Sequence, residues 1–374
     1  MDKILEQNKQ WIDQTWDKLV AKLRKTSVSA REKLPLYAVD GVYNDKTKSI
    51  TSWTNGFWPG LMWFMYAGTK EECFKETAEV GEKSLDRALG KFRYLHHDVG
   101  FMWHLTAGAN YRLTGNPESR ERNLHAAAIL AARFNHEMQC IKAWNDEGYH
   151  GCVIIDSMMN IPLLYWAEKE TENVAYRQIA MRHADTLLKN HIRPDGSVYH
   201  ILDYDVETGA LIKAMAGQGY AEESSWSRGQ AWAIYGFVQS YIHTGEKRYL
   251  DAAKKVAHYF ISAVIDDDYL PRVDFRSPQE PVYWDTSAGA IAACGLIEIA
   301  NCVPEFEKKM YISAAVRILK AIEKDHCDWT DENESIVQNS TGSYTQEIHK
   351  SYVFGDYYFV EAIYKLKGFP PLFW

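Results

Sequence analysis

The feature of this sequence that most restricts its fold is a helical periodicity that recurs in pairs along most of the chain. Clusters of glycine, asparagine and small polar residues separate the periodic segments, as at residues 66–74, 111–117, 170–176 and 243–249. In each cluster a glycine or asparagine can end one helix, and the threonine, asparagine or glutamate after it can begin the next. We predict twelve helices, at residues 2–25, 56–67, 71–90, 98–113, 117–137, 156–170, 173–191, 226–243, 247–264, 285–301, 305–325 and 354–367.

The predicted segments alternate in character. Odd-numbered segments, such as residues 120–133, are charged and amphipathic, which suits an outer ring with one solvent face. Even-numbered segments, such as residues 154–164, are richer in apolar and small residues, which suits an inner ring buried on most sides. This alternation predicts an all-α fold, an (α/α)6 toroid formed by a single domain over residues 1–374. An open solenoid is the alternative, and the uneven repeat spacing disfavours it.

The linkers alternate as well. Those after even segments are short, whereas those after odd segments are long, reaching about thirty-four residues between positions 192 and 225. Long structured loops gathered on one face usually carry function. Within this longest linker, residues 197–203 and 210–214 could pair as a short hairpin.

Charge and cysteine usage exclude several classes of protein. A formal net charge of −8 argues against nucleic acid as a partner, although one buried arginine can still bind a small anion. Residues 2–16 carry charges without an apolar core, and no run of about 18 apolar residues occurs, so neither a secretory signal nor a membrane span is predicted. Six cysteines without a C-x-x-C pair predict reduced thiols in a cytoplasmic protein.

Six polar, aromatic-rich motifs precede or open the six predicted inner helices. In a toroid these ends converge on the central cavity, so the motifs predict one active site rather than scattered features. They lie at residues 53–58, 96–101, 154–157, 225–232, 284–287 and 350–358.

Asp98 and Asp156 are the leading catalytic candidates. Asp156 follows Val-Ile-Ile and precedes an apolar helix. A carboxyl group in such surroundings loses solvation, and its pKa should rise toward the range of a useful acid or base. The alternative for these two residues and for Asp285 is a helix N-cap, a position that aspartate favours.

Arg228 is the leading candidate for binding an anionic group. A guanidinium can hold a carboxylate through two parallel hydrogen bonds, and the alternative is an internal salt bridge to one of the aspartates named above. His97 and His200 could donate hydrogen bonds to sugar hydroxyls, whereas a structural role is the better interpretation of His96. Further candidates for sugar contacts on long loops are Gln218 and Trp144.

Several common chemistries have no motif in this chain. The sequence lacks H-E-x-x-H, a P-loop and the G-x-S-x-G nucleophile elbow. The acidic run at residues 266–268 is typical of a solvated loop. We therefore predict neither a metal site nor a cofactor.

The motifs taken together resemble those of a known enzyme family. His-His-Asp-Val-Gly-Phe, Ile-Ile-Asp-Ser-Met-Met-Asn, Trp-Ser-Arg-Gly-Gln-Ala-Trp and Phe-Gly-Asp-Tyr-Tyr are similar to those of the unsaturated glucuronyl hydrolases of glycoside hydrolase family 88. The resemblance runs from about Trp53 to the C-terminus. Family 105, the unsaturated rhamnogalacturonyl hydrolases, shares the toroid and resembles the chain less closely.

The resemblance implies roles for individual residues. Asp156 matches the family's general acid/base, Asp98 its second essential aspartate near the substrate 2-hydroxyl, and Arg228 the segment that meets the uronate carboxylate. The implied reaction hydrates the C4=C5 enol ether of a terminal Δ4,5-unsaturated glucuronic acid on lyase-generated, glycosaminoglycan-type oligosaccharides. Other matched active-site positions are Trp53, Trp144, His200, Gln218 and Trp232.

Two further questions stay open on sequence alone. Members that prefer sulfated fragments are expected to carry Ser-x-x-Ser-x-Lys; here Ser340 and Ser343 fit, but Thr345 replaces the lysine, and the nearest lysine is Lys350. The alternatives to the unsaturated glucuronyl activity are an unsaturated rhamnogalacturonyl hydrolase, an inverting glycosidase using both aspartates, and a non-catalytic sugar-binding scaffold. The chain is expected to be a monomer or a weak homo-oligomer.

Overall fold

A computed structural model of the chain describes residues 2–373. Most of these residues are helical, and the described chain contains twelve α-helices. Their bounds are α1 Asp2–Ser29, α2 Phe57–Thr69, α3 Glu72–Leu89, α4 Ala109–Thr114, α5 Pro117–Ala131, α6 Pro162–Thr171, α7 Val174–Asn190, α8 Ser227–Thr244, α9 Lys247–Val264, α10 Thr286–Cys302, α11 Glu305–His326 and α12 Val353–Leu366.

Short strands and irregular helices occupy the connections. The strands are β1 Tyr37–Val39, β2 Val42–Tyr43, β3 Phe134–Asn135, β4 Cys140–Ile141, β5 Cys152–Ile154, β6 Ile201–Tyr204, β7 Leu211–Met215 and β8 Ser351–Tyr352. They pair antiparallel in the orders β2-β1-β8, β3-β4 and β5-β6-β7. Short 3-10 helices lie at Trp53–Gly56, Phe92–Tyr94, Ile155–Met159 and Ile265–Asp267, and a π-helix lies at Gly100–Gly108.

The helices form two concentric rings, which confirms the predicted (α/α)6 toroid. Helices α2, α4 with its preceding π-helix, α6, α8, α10 and α12 form the inner ring, and contacts between α12 and α2 close it. Helix α10 is buried along nearly all of its length, as an inner helix must be. Helix α9 buries residues three or four apart, such as Val256 and Phe260, and leaves its other face to solvent.

Aromatic side chains tie neighbouring inner helices together. The ring of Phe57 lies 5.2 Å from those of Phe101 and Tyr357 and 6.0 Å from that of Phe354. These contacts join α2, the π-helix and α12 in one continuous hydrophobic core. Each such pair adds about 1 kcal/mol beyond the burial of its area, which stabilises the inner ring at this level.

Two departures from the predicted helices lie next to the site, and a third is the helix predicted over residues 117–137, which ends at Ala131. The segment predicted as a helix over residues 98–113 begins as a π-helix, and that predicted over 156–170 begins as a 3-10 helix and becomes α-helical only at Pro162. Proline lacks a backbone N–H and is well placed at the first position of a helix, so α6 starts there. The hairpin predicted within residues 192–225 is confirmed as β6 and β7.

No helix within residues 2–373 combines the length and the apolar content that a bilayer crossing requires.

Candidate active site

The N-terminal ends of the inner helices meet at one end of the toroid. Trp53, just before α2, lies 5.8 Å from Phe101 of the π-helix and 5.2 Å from Phe354 of α12, measured between ring centroids. The backbone N–H of Phe101 donates to Asn160 near α6, and the Arg228 guanidinium of α8 lies 5.2 Å from the Phe354 ring. The motifs predicted to converge therefore do so.

A three-stranded sheet places Asp156 beside His200. Strand β5 leads directly into the 3-10 helix that carries Asp156, and β5 pairs with β6, which follows His200. The backbone N–H of Ile155 donates to the carbonyl of His200 at 3.1 Å, which aligns the two segments. As a result Nε2 of His200 lies 3.6 Å from Oδ1 of Asp156.

Nδ1 of His200 lies between two backbone groups, 3.0 Å from the N–H of Gln218 and 3.3 Å from the carbonyl of Ala216. Burial lowers the pKa of His200 to about 3, so the ring is neutral. Its Nε2 has no hydrogen-bond partner within residues 2–373 and lies on the side of Asp156.

The carboxylate of Asp98 is surrounded by donors. Nδ2 of Asn160 donates to Oδ1 of Asp98 at 3.1 Å. The other oxygen lies 2.9 Å from Nδ1 of His96 and 3.4 Å from Nε2 of His97. Burial opposes ionisation, but attraction to His97 and hydrogen bonding from both histidines outweigh it and hold the pKa of Asp98 well below its usual range. Asp98 is therefore an ionised carboxylate.

Asp156 has the opposite character. Burial, reinforced by the negative charge of Asp98, raises the pKa of Asp156 to about 7. Its side chain is 14% exposed, and Oδ1 has no hydrogen-bond partner within residues 2–373. Two neighbouring carboxyl groups whose pKa values are driven apart are the usual mark of an acid/base site. Neither aspartate caps a helix through its side chain, so the capping alternative is wrong for both.

Arg228 is bound inside the protein wall. Its guanidinium donates to Oδ2 of Asp285 at 2.6 Å, to the hydroxyl of Ser287, and to the carbonyls of Thr341 and Gly342. The side chain is 2% exposed, so the internal salt bridge left open by the sequence is what the structure shows. A contact between Arg228 and a ligand must use the N–H groups outside these four hydrogen bonds.

Several predicted ligand contacts involve side chains with available surface or donors. Trp53 and Trp144 are partly exposed, and Trp144 packs edge-on against Tyr149 at 5.6 Å. The His97 ring is fully buried, and its Nε2 lies 3.4 Å from Oδ2 of Asp98. Ser343 is partly exposed in a turn closed by its backbone to Gln346.

Other predicted contacts are not supported by the geometry. Trp232 and Ser340 are fully buried, so neither side chain has surface for a ligand. Trp232 packs between Phe101 and Tyr358, and the Ser340 hydroxyl lies 2.9 Å from that of Thr286. Trp232 and Ser340 therefore lie behind the residues that line the site and do not face the cavity. The side-chain amide of Gln218 donates to the carbonyl of Gly342, which leaves its oxygen for other partners.

One cluster in the described residues has the spacing of a metal site. The donor atoms of His96, His97 and Asp98 lie within 4.8 Å of one another. We interpret this group as a carboxylate held by imidazoles, because Oδ2 of Asp98 lies 2.9 Å from Nδ1 of His96, the distance of a direct hydrogen bond.

One residue of the site was missed from the sequence: Asn160, which joins Asp98 to the Asp156 segment. His96, expected to be structural, contacts Asp98, and Asp285 is the partner of Arg228 in the internal salt bridge that the sequence left open. Asn160 lies four residues after Asp156, a spacing that brings side chains together on a helix, and this was the one available signal.

The chain is similar to known proteins over nearly all of its length. The sequence profile of Glycosyl Hydrolase Family 88 matches residues 28–370. The chain is 36% identical to an unsaturated glucuronyl hydrolase from Bacillus sp. (strain GL1), over 87% of this chain and 88% of that protein. It is 32% identical to an unsaturated chondroitin disaccharide hydrolase from Streptococcus pneumoniae, over 98% of this chain and 94% of that protein.

A solved structure of a UGL variant with dGlcA-Glc-Rha-Glc has a TM-score of 0.89 to this fold at 33% identity, over 96% of this chain and 98% of that one. The match of sequence profile, relatives and fold extends over nearly the whole chain, including every segment that forms the site. The chain therefore belongs to glycosyl hydrolase family 88.

Proposed function

We propose that the chain removes a terminal Δ4,5-unsaturated glucuronic acid from lyase-generated, glycosaminoglycan-type oligosaccharides by hydrating the C4=C5 enol ether. The observation that carries this proposal is the pairing of Asp156, whose pKa is raised to about 7, with Asp98, whose pKa is lowered. Such a pair supplies one proton donor beside one fixed negative charge at neutral pH. The names of the relatives, which specify unsaturated glucuronyl and unsaturated chondroitin disaccharide substrates, support the same chemistry.

In the proposed reaction Asp156 acts first as an acid and then as a base. The carboxyl proton of Asp156 is transferred to C4, and the positive charge that develops is shared by C5 and the ring oxygen. Water then adds to C5 while the Asp156 carboxylate takes its proton. The resulting hemiketal opens between C5 and the ring oxygen, and the hemiacetal left at C1 releases the aglycone alcohol. One water is consumed, and the products are a 4-deoxy-5-keto uronic acid and the shortened oligosaccharide.

The state of Asp98 disfavours an inverting glycosidase. That mechanism needs a second carboxylate free to accept a proton from water on the far side of the sugar. Both oxygens of Asp98 already lie within hydrogen-bonding distance of protein donors, one of Asn160 and one of His96. A carboxylate so engaged is suited to orienting a substrate hydroxyl, which is the role we propose for it.

An anionic substrate fits the electrostatics of the site despite the net charge of −8. Six inner helices begin there, and the N-terminus of each helix carries partial positive charge. We propose that His200 donates a hydrogen bond to the sugar, that Gln218, Arg228 and Ser343 make polar contacts, and that aromatic faces pack on its C–H groups. The fully buried His97 supports Asp98 instead. The aromatic residues with exposed surface are Trp53 and Trp144.

We further propose that residues 1–374 act as one catalytic domain in the cytoplasm. All six cysteines are unpaired, as expected in a reducing compartment. We propose a monomer or a weak homo-oligomer, which sedimentation at several protein concentrations would distinguish.

The first experiment follows the ultraviolet absorbance of the conjugated C4=C5–carboxylate group during incubation with unsaturated chondroitin, hyaluronan and heparin disaccharides. We expect absorbance to fall with wild type and to stay constant with Asp156→Asn. The matched control is Asp251→Asn, which changes an exposed aspartate on outer helix α9 and should retain full activity. The matching saturated disaccharides, which lack the C4=C5 bond, should not be cleaved.

Two outcomes would contradict the proposal. Absence of turnover with every unsaturated disaccharide, including pectin-derived ones, would point to a saturated-sugar hydrolase or a binding protein. Cleavage of a matching saturated disaccharide would show that the enzyme acts at C1 instead.

A further inference from the structure

Asn160 is a fully buried amide whose polar groups join its own segment to the segment that carries Asp98. Its Nδ2 donates to Oδ1 of Asp98 at 3.1 Å and to the backbone carbonyl of Asp156 at 3.4 Å. Its Oδ1 accepts from the backbone N–H of Phe101 at 2.9 Å. The two aspartates are therefore linked through a single side chain that touches neither carboxyl oxygen of Asp156.

The amide of Asn160 has only one workable orientation. The N–H of Phe101 can only donate, so Oδ1 must face it and Nδ2 must face Asp98. The backbone of the π-helix also packs closely against this residue. A Cβ atom added to Gly100 would lie 2.6 Å from Oδ1 of Asn160 and 2.7 Å from its Cα, so the side chain has no room to move.

We propose that Asn160 is a positioning residue that holds the Asp98 carboxylate, ionised and fixed in direction, beside the general acid Asp156. The inference rests on the proposed function, because it assigns Asn160 a part in that same reaction. Nothing in the residue type alone indicates this, since a buried asparagine near a helix start most often serves only to cap the helix.

The physical basis is the stabilisation of a charged acceptor. A hydrogen bond donated to a carboxylate stabilises its ionised form, and removing the donor makes protonation easier. The ionisable groups facing Asp98 are His96 and His97 on its own segment, Asp156 on the 3-10 helix, and Arg133 just after α5. None of them changes when Asn160 is replaced, so the effect of the amide can be isolated.

The test compares Asn160→Ala and Asn160→Asp with wild type in the pH dependence of kcat and kcat/KM on an unsaturated disaccharide. Protonation of Asp98 should switch the enzyme off at low pH, which gives the acid limb of the profile. We expect Asn160→Ala to move this limb upward by about one pH unit, a tenfold change in proton affinity. Asn160→Asp, which preserves the shape but adds a competing carboxyl group, should move it further.

A merely structural role predicts something different. It would lower kcat equally at every pH and leave the acid limb in place. The matched control is Asn123→Ala on α5, an equally buried amide that contacts His104 instead of an aspartate. This variant should lower the unfolding temperature without moving the limb.

A second measurement does not depend on turnover. Carbon-13 NMR titration of carboxyl-labelled aspartates, assigned with Asp98→Asn, should show the Asp98 resonance titrating at higher pH in both Asn160 variants. Failure of wild type to consume any unsaturated disaccharide would overturn the proposed function, and the NMR result would still decide the role of Asn160. A shift of less than about 0.3 unit in both variants would overturn the inference.

Discussion

Replacing Arg228 with methionine should destabilise the whole toroid as well as its active site. The guanidinium is buried and donates to Asp285, Ser287 and the carbonyls of Thr341 and Gly342, which joins α8, α10 and the loop before α12. Methionine fills much of the same volume without charge or donors. The substitution leaves the Asp285 carboxylate buried without its cation. An unpaired buried charge accounts for most of the stability that is lost when a buried ion pair is broken.

The size of the effect can be worked out from these contacts. Losing one partner of a buried ion pair costs about 4 kcal/mol. Unfolding entropy is about 2.1 cal/mol/K per residue, or about 0.8 kcal/mol/K for 374 residues. The unfolding temperature of Arg228→Met should therefore fall by about 5 °C.

The assay is thermal unfolding of four proteins: wild type, Arg228→Met, Asp285→Asn and the double variant. The double variant removes both charges, so it should lose less stability than the sum of the single variants, by about 2 kcal/mol. Strict additivity, or a fall of less than about 1 °C in Arg228→Met, would refute the reasoning. An unchanged unfolding temperature with a large rise in KM would instead show that Arg228 serves only the ligand.

Three further predictions concern acid chemistry and local packing. Because the proton of Asp156 is needed and its pKa is about 7, kcat/KM should fall about tenfold per pH unit above that value. Burial raises the pKa of Glu361 to about 7 in the folded protein. Its contribution to stability is therefore complete below its unfolded pKa and is lost as pH rises through its folded pKa. Glu361→Gln should therefore remove about 3 kcal/mol of the pH dependence, seen as a flatter plot of unfolding temperature against pH. Gly217 has φ +59°, and an added Cβ would lie 2.2 Å from Nδ1 of His200, so Gly217→Ala should lower kcat/KM by at least about tenfold. Gly245→Ala, with φ +73° and open space around it, should cost stability only, and equal activities of the two variants would contradict this explanation.

The fold was largely predictable because it depends on patterns that repeat along the chain. Each inner helix is apolar on most sides and each outer helix is apolar on one, and these patterns are visible in segments such as 154–164 and 120–133. Two of the places where helix prediction was wrong, the π-helix at Gly100–Gly108 and the 3-10 helix at Ile155–Met159, adjoin the catalytic aspartates. Irregular helices are common at functional sites, where tertiary contacts override local preference.

The candidate site was predictable in kind and not in geometry. The residue types around Asp156 indicated a buried carboxyl group, and its raised pKa is the expected consequence. Whether Arg228 faces a ligand or an internal partner depends on where Asp285 lies, and 56 other residues separate the two in the chain. The roles of Asn160 and His96 likewise depend on which side chain reaches Asp98 in space.

Local sequence therefore specified the helices, their inner and outer faces and the polar ends that meet in the cavity, because these follow from the spacing of apolar residues a few positions apart. Packing of the closed ring specified the direction of each hydrogen bond and the protonation of each aspartate. Those properties arise from burial and from charges brought together by segments far apart in the chain, as Asp98 and Asp156 are by Asn160.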